Sequence, residues 1–355
     1  MTNASIAQSV LPLAVVAWES TQACNLTCIH CRANAQAKPA TDELTTAEIE
    51  RVIDDIVTLA APVFIISGGE PLLRPDVFRV ARYGRERGLR VVMAPNGTLI
   101  TAEVARRIAE AGIARISVSI DGSCAPRHDR VRGVAGAFAA ALQGLAACRE
   151  AGVEFQLNTT VLEQTLDDLP AVYELAIRLG ARAWNIFMLV PTGRGQADDE
   201  ITPEAYERTL RWIDETAASS PIPVRVTCGP QYRRITAQRR RAEGPHGGLD
   251  RASRGCLAGN GYCFISHRGE VFPCGYLPLL AGNVREQPFH EIYRHSTLFQ
   301  MLRDWSRLEG KCGECEFVRL CGGCRARAFS ATGNVLAQEP YCTYQPHAAG
   351  GVHGD

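Results

Sequence analysis

Between residues 15 and 190, short apolar runs alternate with longer stretches in which apolar residues recur every three or four positions. The short runs are typical of buried strands and the longer stretches of amphipathic helices. The predicted strands cover residues 15–19, 63–66, 90–93, 115–120, 154–161 and 183–190. The predicted helices cover residues 46–59, 76–87, 101–111, 135–151 and 169–179. Six strands that alternate with five helices predict a parallel sheet with right-handed crossovers.

This α/β pattern is compatible with a doubly wound sheet or with an incomplete barrel. Six βα units with cysteines on the first loop favour the partial barrel, a (β/α)6 arrangement of TIM type. The predicted segments are an N-terminal segment (1–14), the barrel (15–220), a linker region with an exposed arginine-rich loop (221–255), a cysteine-rich domain (256–346) and a disordered tail (347–355). We expect site residues where the parallel strands end.

The composition narrows the classes of function. The 38 basic and 38 acidic residues cancel, which argues against a protein that binds nucleic acid through a basic surface. The apolar stretch 10–18 is too short to cross a bilayer and lacks the flanks of a signal peptide, so we expect no membrane span and a cytoplasmic location. Fourteen cysteines in a reducing compartment indicate metal binding rather than disulfides.

Three cysteines stand close together directly after the first predicted strand, in the spacing Cys24-x3-Cys28-x2-Cys31. Thiolates spaced in this way can bind three irons of a four-iron cluster, which leaves the fourth iron open to another ligand. An open metal position is a feature of catalytic rather than structural sites. The alternative is a structural zinc site, but zinc ligands usually come as two separated pairs. The spacing therefore favours a catalytic iron–sulfur cluster.

Short polar residues follow the next predicted strands. The run Ser67-Gly68-Gly69-Glu70-Pro71 comes after the second strand, where two glycines allow a ligand to approach closely and the Glu70 carboxylate can accept bonds from an ammonium group. Other polar residues in or just after later strands are Asn96, Ser119, Asp121 and Asn158. Each of them could instead serve as a turn or cap residue. Together they predict a polar ligand that lies across the mouth of the barrel.

The cysteine spacing and the Gly-Gly-Glu-Pro run at 68–71 resemble the radical S-adenosylmethionine (SAM) superfamily. The resemblance implies a partial barrel whose four-iron cluster binds SAM and cleaves it reductively to a 5′-deoxyadenosyl radical. It also implies that Gly68, Gly69 and Glu70 meet the methionyl amine. The other SAM contacts that it implies are Ser119 and Asp121 near the ribose, Arg132 at the carboxylate, Asn158 and the backbone of Met188 and Leu189 beside the adenosine, and Asn96.

The C-terminal part of the chain contains eight further cysteines, namely Cys256, Cys263, Cys274, Cys312, Cys315, Cys321, Cys324 and Cys342. Eight thiolates can hold two fully coordinated four-iron clusters, and two zinc sites are the alternative. The spacing resembles the SPASM extension of radical SAM enzymes, which carries auxiliary clusters, although two residues rather than three separate Cys321 from Cys324. By position in that pattern, one cluster takes Cys256, Cys263, Cys274 and Cys324, and the other takes Cys312, Cys315, Cys321 and Cys342. Full ligation implies a role in electron transfer.

Three cysteines lie outside these sets. Cys148 stands within a predicted helix and is expected in the core, and Cys124 is expected to be unreactive. Cys228 belongs to the stretch 227–234, which we interpret as a solvated loop. The alternative is an anion-binding edge, because this stretch also contains Tyr232, Arg233 and Arg234.

Longer stretches are similar to the haem synthases of the siroheme-dependent haem pathway, namely residues 16–19, 187–194, 227–230, 256–259, 274–277 and 321–327. This resemblance implies oxidative decarboxylation of two propionates of iron-coproporphyrin III, which gives haem b. The implied partners are the iron porphyrin and an electron donor such as flavodoxin or ferredoxin. Candidate partners for the substrate carboxylates are Arg132, Arg194, Arg233 and Arg234, with Tyr232 beside them.

Other functions remain open at this point. A siroheme-derivative deacetylase and a peptide-modifying SPASM maturase would use the same motifs. Many such maturases carry a leader-binding domain ahead of the barrel, and the 23 residues before Cys24 are too few for one, so we expect the porphyrin substrate. Outside enzymes, the alternative is a metal-binding scaffold without catalytic activity.

Overall fold

The computed structural model describes residues 11–242 and 254–346 of the 355-residue chain. Its strands form one sheet with the order β10-β9-β8-β1-β2-β3-β4-β5-β6-β7, which is not closed. The first seven strands are β1 (Val15–Glu19), β2 (Val63–Ser67), β3 (Arg90–Met93), β4 (Ile116–Ser119), β5 (Phe155–Val161), β6 (Trp184–Met188) and β7 (Val224–Thr227). They run parallel, and each pairs with the next strand in the chain. The partial α/β barrel predicted from the sequence is therefore confirmed.

Helices connect these strands. They are α1 (Thr46–Leu59), α2 (Val77–Glu86), α3 (Ala102–Glu110), α4 (Ala125–Arg132), α5 (Ala137–Glu150), α6 (Leu169–Leu179), α7 (Pro203–Ser219) and α8 (Gln231–Ala242). The five predicted helices correspond to α1, α2, α3, α5 and α6. The start of α1 is a capping box, in which the Thr45 and Glu48 side chains each accept from the other's backbone N–H. Gly180 ends α6 at φ 78°, a conformation that favours glycine.

Regular structure continues into the region that we predicted to be a linker. Strand β7 pairs with β6 and is followed by α8. Arg239 lies in the last turn of α8 and not in an exposed loop, and its Nε donates to Asp214 Oδ2 at 2.6 Å. Residues 243–253, which include the end of the predicted arginine-rich loop, lie outside the described residues, as do the predicted tail (347–355) and residues 1–10.

The cysteine-rich region extends the barrel sheet instead of forming a sheet of its own. Its elements are β8 (Tyr262–Ile265), β9 (Glu270–Phe272), β10 (Gly282–Asn283), α9 (Phe289–His295), α10 (Thr297–Arg303), α11 (Gly310–Glu314) and α12 (Arg325–Thr332). Strand β8 runs parallel to β1, with Cys263 opposite Val16. Strands β9 and β10 then continue the sheet in antiparallel fashion. Strand β1 is therefore an interior strand, paired on both sides.

A buried arginine joins the two parts of the chain. The Arg327 side chain on α12 is only 1% exposed, and its Nε donates to Glu200 Oε1 at 3.0 Å. Its Nη1 donates to the carbonyl oxygen of Cys228 at 3.1 Å and lies 3.6 Å from Glu339 Oε1. Nη2 donates to the carbonyl oxygen of Leu189, just after β6. A guanidinium with this many partners satisfies the requirement that a buried charge be paired and hydrogen-bonded.

In residues 11–242 and 254–346, no single helix is long and apolar enough to cross a bilayer. Helices α4 and α5 reach the length and composition only as a pair, and they are bent by 101° at the break between them. Both helices bury residues within the protein, including Val131 of α4 and Leu145 of α5.

We predict that Arg327→Leu destabilises the protein by about 3–5 kcal/mol, because the change leaves two carboxylates buried without their cation. The matched control is Arg79→Leu, which removes an arginine that is 64% exposed and paired with Glu50. That change should cost at most about 1 kcal/mol, as is usual for surface ion pairs. Denaturant unfolding of the anaerobic protein, followed by circular dichroism, measures both. Equal losses in the two variants would contradict the role given to Arg327.

Candidate active site and auxiliary cysteine sites

The three N-terminal cysteines lie in the loop that follows β1, at the C-terminal edge of the sheet. Their side chains pack together in one small apolar cluster. Each sulfur accepts at least one hydrogen bond. The donors are Leu26 N (3.4 Å) and Asn96 Nδ2 (4.0 Å) to Cys24, Ala35 N to Cys31 (3.4 Å) and Arg132 Nη1 to Cys28 (3.6 Å). Such donors favour the thiolate form. The three thiols therefore fit a four-iron cluster with one iron free of protein ligands.

The surroundings of the Cys24 thiol favour its protonated form until a metal binds. Burial raises the pKa of Cys24 to about 11, and the negative charge of Glu70 acts in the same direction. Iron removes the thiol proton on binding, which offsets this effect. Among the described residues, no three His, Cys, Asp or Glu side chains are arranged as the ligands of a single ion. In a four-iron cluster each thiolate binds its own iron.

Arg194 holds the cysteine loop in place. Its Nε donates to the carbonyl oxygen of Cys28 and its Nη1 to that of Ala35, both at 2.9 Å. Its backbone N–H donates to the carbonyl oxygen of Cys31, also at 2.9 Å. We expected Arg194 to bind a substrate carboxylate, and the structure instead places it behind the cluster loop. Arg194 makes these contacts because the loop after β6, to which it belongs, packs against the cysteine loop after β1.

The glycines of the Gly-Gly-Glu run allow two loops to pack closely. Gly69 N donates to Thr21 O and Glu70 N donates to Ala23 O, both at 2.7 Å. A Cβ on Gly69 would lie 2.3 Å from Ala23 O, and a Cβ on Gly68 would lie 2.8 Å from Thr21 O. Both distances are too short for a side chain. The run thus fixes the backbone that leads into Cys24, a role that we did not predict, and its contact with the methionyl amine stays a prediction.

Glu70 links the loops after β2 and β3. Its side chain is fully buried, and its two oxygens accept from Leu72 N at 3.0 Å and from Asn96 N at 2.7 Å. Burial raises the pKa of Glu70 to about 7, although both backbone N–H groups act in the opposite direction. The Asn96 side chain in turn donates to Asn25 Oδ1 at 2.8 Å, one residue after Cys24. Asn96 therefore supports the cysteine loop.

Asp121 has a different set of partners from the one we expected. Its carboxylate is fully buried and pairs with the Arg132 guanidinium, and Thr160 N donates to Oδ1 at 2.7 Å. The Arg132 and His30 side chains keep the pKa of Asp121 below its usual value despite burial. Burial lowers the pKa of His30 to about 4, so this ring is neutral near pH 7. Asp121 thus orients Arg132 toward the Cys28 sulfur, and the ribose contact stays a prediction.

Two of the predicted SAM contacts are neighbours in the sheet. Ser119 at the end of β4 lies directly opposite Asn158 of β5, so their side chains point to the same face. Both side chains are half-buried, and Asn158 Oδ1 accepts from Gln156 Nε2 at 3.1 Å. The carbonyl groups of Met188 and Leu189 have other partners, because both accept from Arg327 Nη2. Contact of these two carbonyl groups with adenosine would have to compete with that arginine.

The residues of the expected anion-binding edge lie on α8. Arg234 is 1% exposed, pairs with Glu207 and donates to Gln238 Oε1 at 2.8 Å. It is therefore a buried structural residue and not a free cation for a substrate. Tyr232 is half-buried against the main core. Arg233 is exposed and keeps its capacity to meet an anion.

Four of the C-terminal cysteines, which the sequence pattern assigns to one cluster, surround one cavity. The cavity is lined by Cys312, Cys315, Cys321 and Cys342, together with Lys311 and Glu339. Backbone N–H groups of Glu339 and Gly323 donate to the sulfurs of Cys312 (3.3 Å) and Cys321 (3.5 Å). Burial raises the pKa of Cys321, and the nearby charges of Cys342 and Cys312 add to the effect. These four thiols fit a fully coordinated four-iron cluster.

The structure brings together only three of the four cysteines predicted to bind the other auxiliary cluster, which were Cys256, Cys263, Cys274 and Cys324. Burial raises the pKa of Cys274, and the next contributions come from the thiols of Cys256 and Cys324, so these three are neighbours. Cys263 is fully buried in the main apolar core on β8 instead. In its place Cys228, which the sequence led us to expect in a solvated loop, packs against the buried group that contains Cys324. The signal that could have revealed this is the short apolar alternation before Cys228, which forms a seventh strand and ends at the site edge of the sheet.

Comparison with known proteins agrees with this geometry. Residues 18–176 match the Radical SAM superfamily, and residues 256–324 match SPASM, an iron–sulfur cluster-binding domain. The chain belongs to the radical SAM family of enzymes and carries a SPASM domain. Membership implies a four-iron cluster that binds SAM, together with auxiliary iron–sulfur clusters.

Within this family the chain is similar to the AdoMet-dependent heme synthases. The one from Methanosarcina barkeri is 50% identical over 338 residues, which are 94% of this chain and 97% of that relative. The one from Nitratidesulfovibrio vulgaris is 46% identical over 339 residues, 94% of this chain and 92% of the relative. A Methanosarcina barkeri Fe-coproporphyrin III synthase is 33% identical over 348 residues, 92% of this chain and 87% of the relative.

Solved structures agree on the fold. Streptococcus suis SuiB bound to S-adenosylmethionine matches with a TM-score of 0.76 at 15% identity, over 94% of this chain and 78% of that one. Native anSMEcpe with bound AdoMet matches with a TM-score of 0.69 at 19% identity, over 93% of this chain and 94% of that one. At these identities the likeness concerns the architecture alone.

We predict that Gly69→Ala lowers the iron content of the anaerobically reconstituted protein by up to about four atoms per chain, the content of one cluster. The added Cβ would collide with Ala23 O and displace the backbone before Cys24. The matched control is Gly195→Ala, near the same loop, where a Cβ would meet its nearest atoms at an ordinary 3.4 Å. Iron analysis and the visible absorption of the clusters provide the measurement. An iron content in Gly69→Ala equal to that of the control would refute this account of the glycine.

Proposed function

We propose that this chain is a haem synthase that oxidatively decarboxylates two propionates of iron-coproporphyrin III to the vinyl groups of haem b. The observation that carries the proposal is the 50% identity to an AdoMet-dependent heme synthase over 94% of this chain. The match also covers 97% of that relative, so almost all of its length has a counterpart here. Haem synthesis by a radical SAM enzyme is the coarser statement that these relatives support.

The reaction needs an acceptor for electrons more than it needs acid–base groups. When bound, the cluster and SAM supply a 5′-deoxyadenosyl radical, which can remove a hydrogen atom from an unactivated carbon. A propionate that loses a hydrogen atom from the carbon next to the ring can release CO2 and become a vinyl group. One electron is left over for each propionate. Auxiliary iron–sulfur clusters are suitable acceptors, because their reduction potentials span a wide range.

The residues of this chain have separate tasks in the proposal. Cys24, Cys28 and Cys31 would bind three irons, and SAM would lie against the strand ends that carry Glu70 and Ser119. Arg132 donates to the Cys28 sulfur at 3.6 Å, which supports a negatively charged cluster at this place. The C-terminal cysteines would carry the surplus electron away.

The substrate and the reductant are the remaining partners. An iron-coproporphyrin carries carboxylates, for which arginine forks are suitable partners. Of the four arginines suggested by the sequence, Arg233 is exposed. The other three, Arg132, Arg194 and Arg234, are committed to other contacts. We infer that a one-electron donor such as flavodoxin or ferredoxin reduces the N-terminal cluster.

A second candidate function is a different step on the same class of compound. The relative at 33% identity is named for making Fe-coproporphyrin III, which would make that porphyrin the product instead of the substrate. A siroheme-derivative deacetylase, one of the alternatives raised by the sequence, would also act on a related macrocycle. The lower identity makes this candidate weaker than the haem synthase.

We predict that the protein converts iron-coproporphyrin III to haem b when incubated anaerobically with SAM and dithionite. Mass spectrometry should show the loss of two formic acid equivalents from the porphyrin, because each propionate loses CO2 and two hydrogens. Omission of SAM is the control. If SAM is cleaved and the porphyrin stays unchanged, the substrate assignment is wrong, and the second candidate or a peptide substrate takes its place.

We further predict that the triple variant Cys24→Ala, Cys28→Ala and Cys31→Ala forms no 5′-deoxyadenosine above the protein-free level. The physical reason is that iron held by these thiolates alone offers the open position that SAM needs. The control is Cys124→Ala, which changes an exposed cysteine outside all three sets and should retain full SAM cleavage. Chromatographic assay of 5′-deoxyadenosine measures both. Undiminished formation in the triple variant would end the proposal.

A further inference from the structure

Cys228 occupies an unusual position at the rim of the barrel. It directly follows β7, whose last residue Thr227 lies opposite Phe187 of β6, so it stands at the C-terminal edge of the sheet. Its backbone has φ 60°, a left-handed conformation that non-glycine residues rarely adopt. Its carbonyl oxygen accepts from Tyr206 Oη at 3.0 Å and from Arg327 Nη1 at 3.1 Å. These bonds hold the turn so that the thiol faces the SPASM domain.

The Cys228 side chain meets the cysteines of that domain. Cys228 and Cys274 both pack against the buried group formed by Cys324, Val190 and Leu277. The Cys228 and Cys324 side chains form a hydrogen bond with each other. Cys256 is also near, because its thiol interacts electrostatically with those of Cys274 and Cys324. Four thiols therefore come together from β7, the segment before β8, the turn after β9 and the start of α12.

Cys263 cannot join this group because of the alternation of side chains along β8. Successive residues of a strand point to opposite faces of the sheet. Cys263 lies opposite Val16 of β1, and both belong to the buried main core. The next residue, Phe264, points to the other face, where its ring packs against Arg32, which donates to the carbonyl oxygen of Gly275 beside Cys274. The charged neighbour of Cys263 is Arg303, on α10. Its thiol is 0% exposed within the apolar core.

We propose that Cys228, and not Cys263, supplies the fourth thiolate of the auxiliary cluster bound by Cys256, Cys274 and Cys324. One cluster ligand then comes from the barrel and three from the SPASM domain, so the cluster itself joins the two parts of the chain. With four thiolates this cluster has no iron open to a substrate, which restricts it to electron transfer. Cys263 is a core residue that merely stands close to Cys256 in the sequence.

The experiment compares two isosteric variants in the full-length protein. Both Cys228→Ser and Cys263→Ser are made in the background in which Cys24, Cys28 and Cys31 are alanine, so that only auxiliary clusters contribute. After anaerobic reconstitution, iron and sulfide are quantified and the dithionite-reduced protein is examined by electron paramagnetic resonance. Cys228→Ser should change the signal of one cluster and lose about one to four irons per chain. Cys263→Ser should retain both the signal and the iron of the background protein.

Each result has a defined meaning. A change confined to Cys263→Ser, or no change in either variant, would overturn the proposal. The cluster of Cys312, Cys315, Cys321 and Cys342 serves as the internal control for folding, because its signal should persist in both variants. No readout uses porphyrin or SAM, so the outcome is independent of the proposed function.

A second measurement needs no substitution at Cys228 and covers the case in which the variant does not fold. The background protein is treated with iodoacetamide before and after iron removal by a chelator, and labelled cysteines are located by peptide mass spectrometry. Cys228 should be protected in the iron-loaded protein and labelled at least about tenfold faster after chelation, since a metal-bound thiolate is not free to react. Equal labelling of Cys228 in both states would overturn the proposal.

Discussion

The pairing of β1 on both sides is the constraint on which the rest of the structure depends. Because β1 lies between β2 and β8, the barrel and the SPASM domain share one hydrogen-bonded sheet. The loop with Cys24, Cys28 and Cys31 leaves β1 at the same edge. Arg32, the next residue, donates to the carbonyl oxygen of Gly275 at 3.4 Å, directly after Cys274. The two cysteine sites are therefore held at a separation set by backbone geometry.

Buried ion pairs concentrate around the cysteine loops and contribute to the same rigidity. Arg32 pairs with Glu19 at 2.6 Å, and Arg327 pairs with Glu200 at 3.0 Å. Burying such charges costs desolvation energy that a pair only partly recovers, so they are poor evidence for stability. Their positions point to another contribution. Each guanidinium bonds a backbone carbonyl at or next to a cysteine, as Arg32 does at Gly275 and Arg327 does at Cys228. They specify the placement of the ligand loops and bring positive charge toward the thiolates.

The sequence predicted the repeating part of the fold and the edge of the sheet at which the candidate site residues lie. The alternation of apolar and amphipathic runs was sufficient to predict the six strands and five helices. Cys24 and Glu70 were expected at the C-terminal edge of the sheet, where parallel strands end, and the structure has them there. The contact of β8 with β1 was not predictable, since it joins segments far apart in the chain. The hydrogen-bond partners of buried side chains were not predictable either. The spacing of residues in the sequence does not indicate, for example, that Arg327 donates to the carbonyl oxygen of Leu189. For Cys263 a signal was available: the alternation in Tyr262–Ile265 places its thiol on the far face.

The positions of the cysteines in the fold determine which of them can bind the same cluster. Cys24, Cys28 and Cys31 lie on one short loop and can bind only three of the four irons of a cluster. The fourth iron then has no protein thiolate and can bind SAM. Each auxiliary site would combine thiols from different parts of the chain, and under our proposals four thiolates at each site would leave no iron open for a ligand. Under the proposed function, each decarboxylation releases one electron, and the acceptor must lie near the rim where hydrogen is removed. Cys228 is attached to that rim by the end of β7, and it therefore brings an auxiliary site to the place where the electron is released.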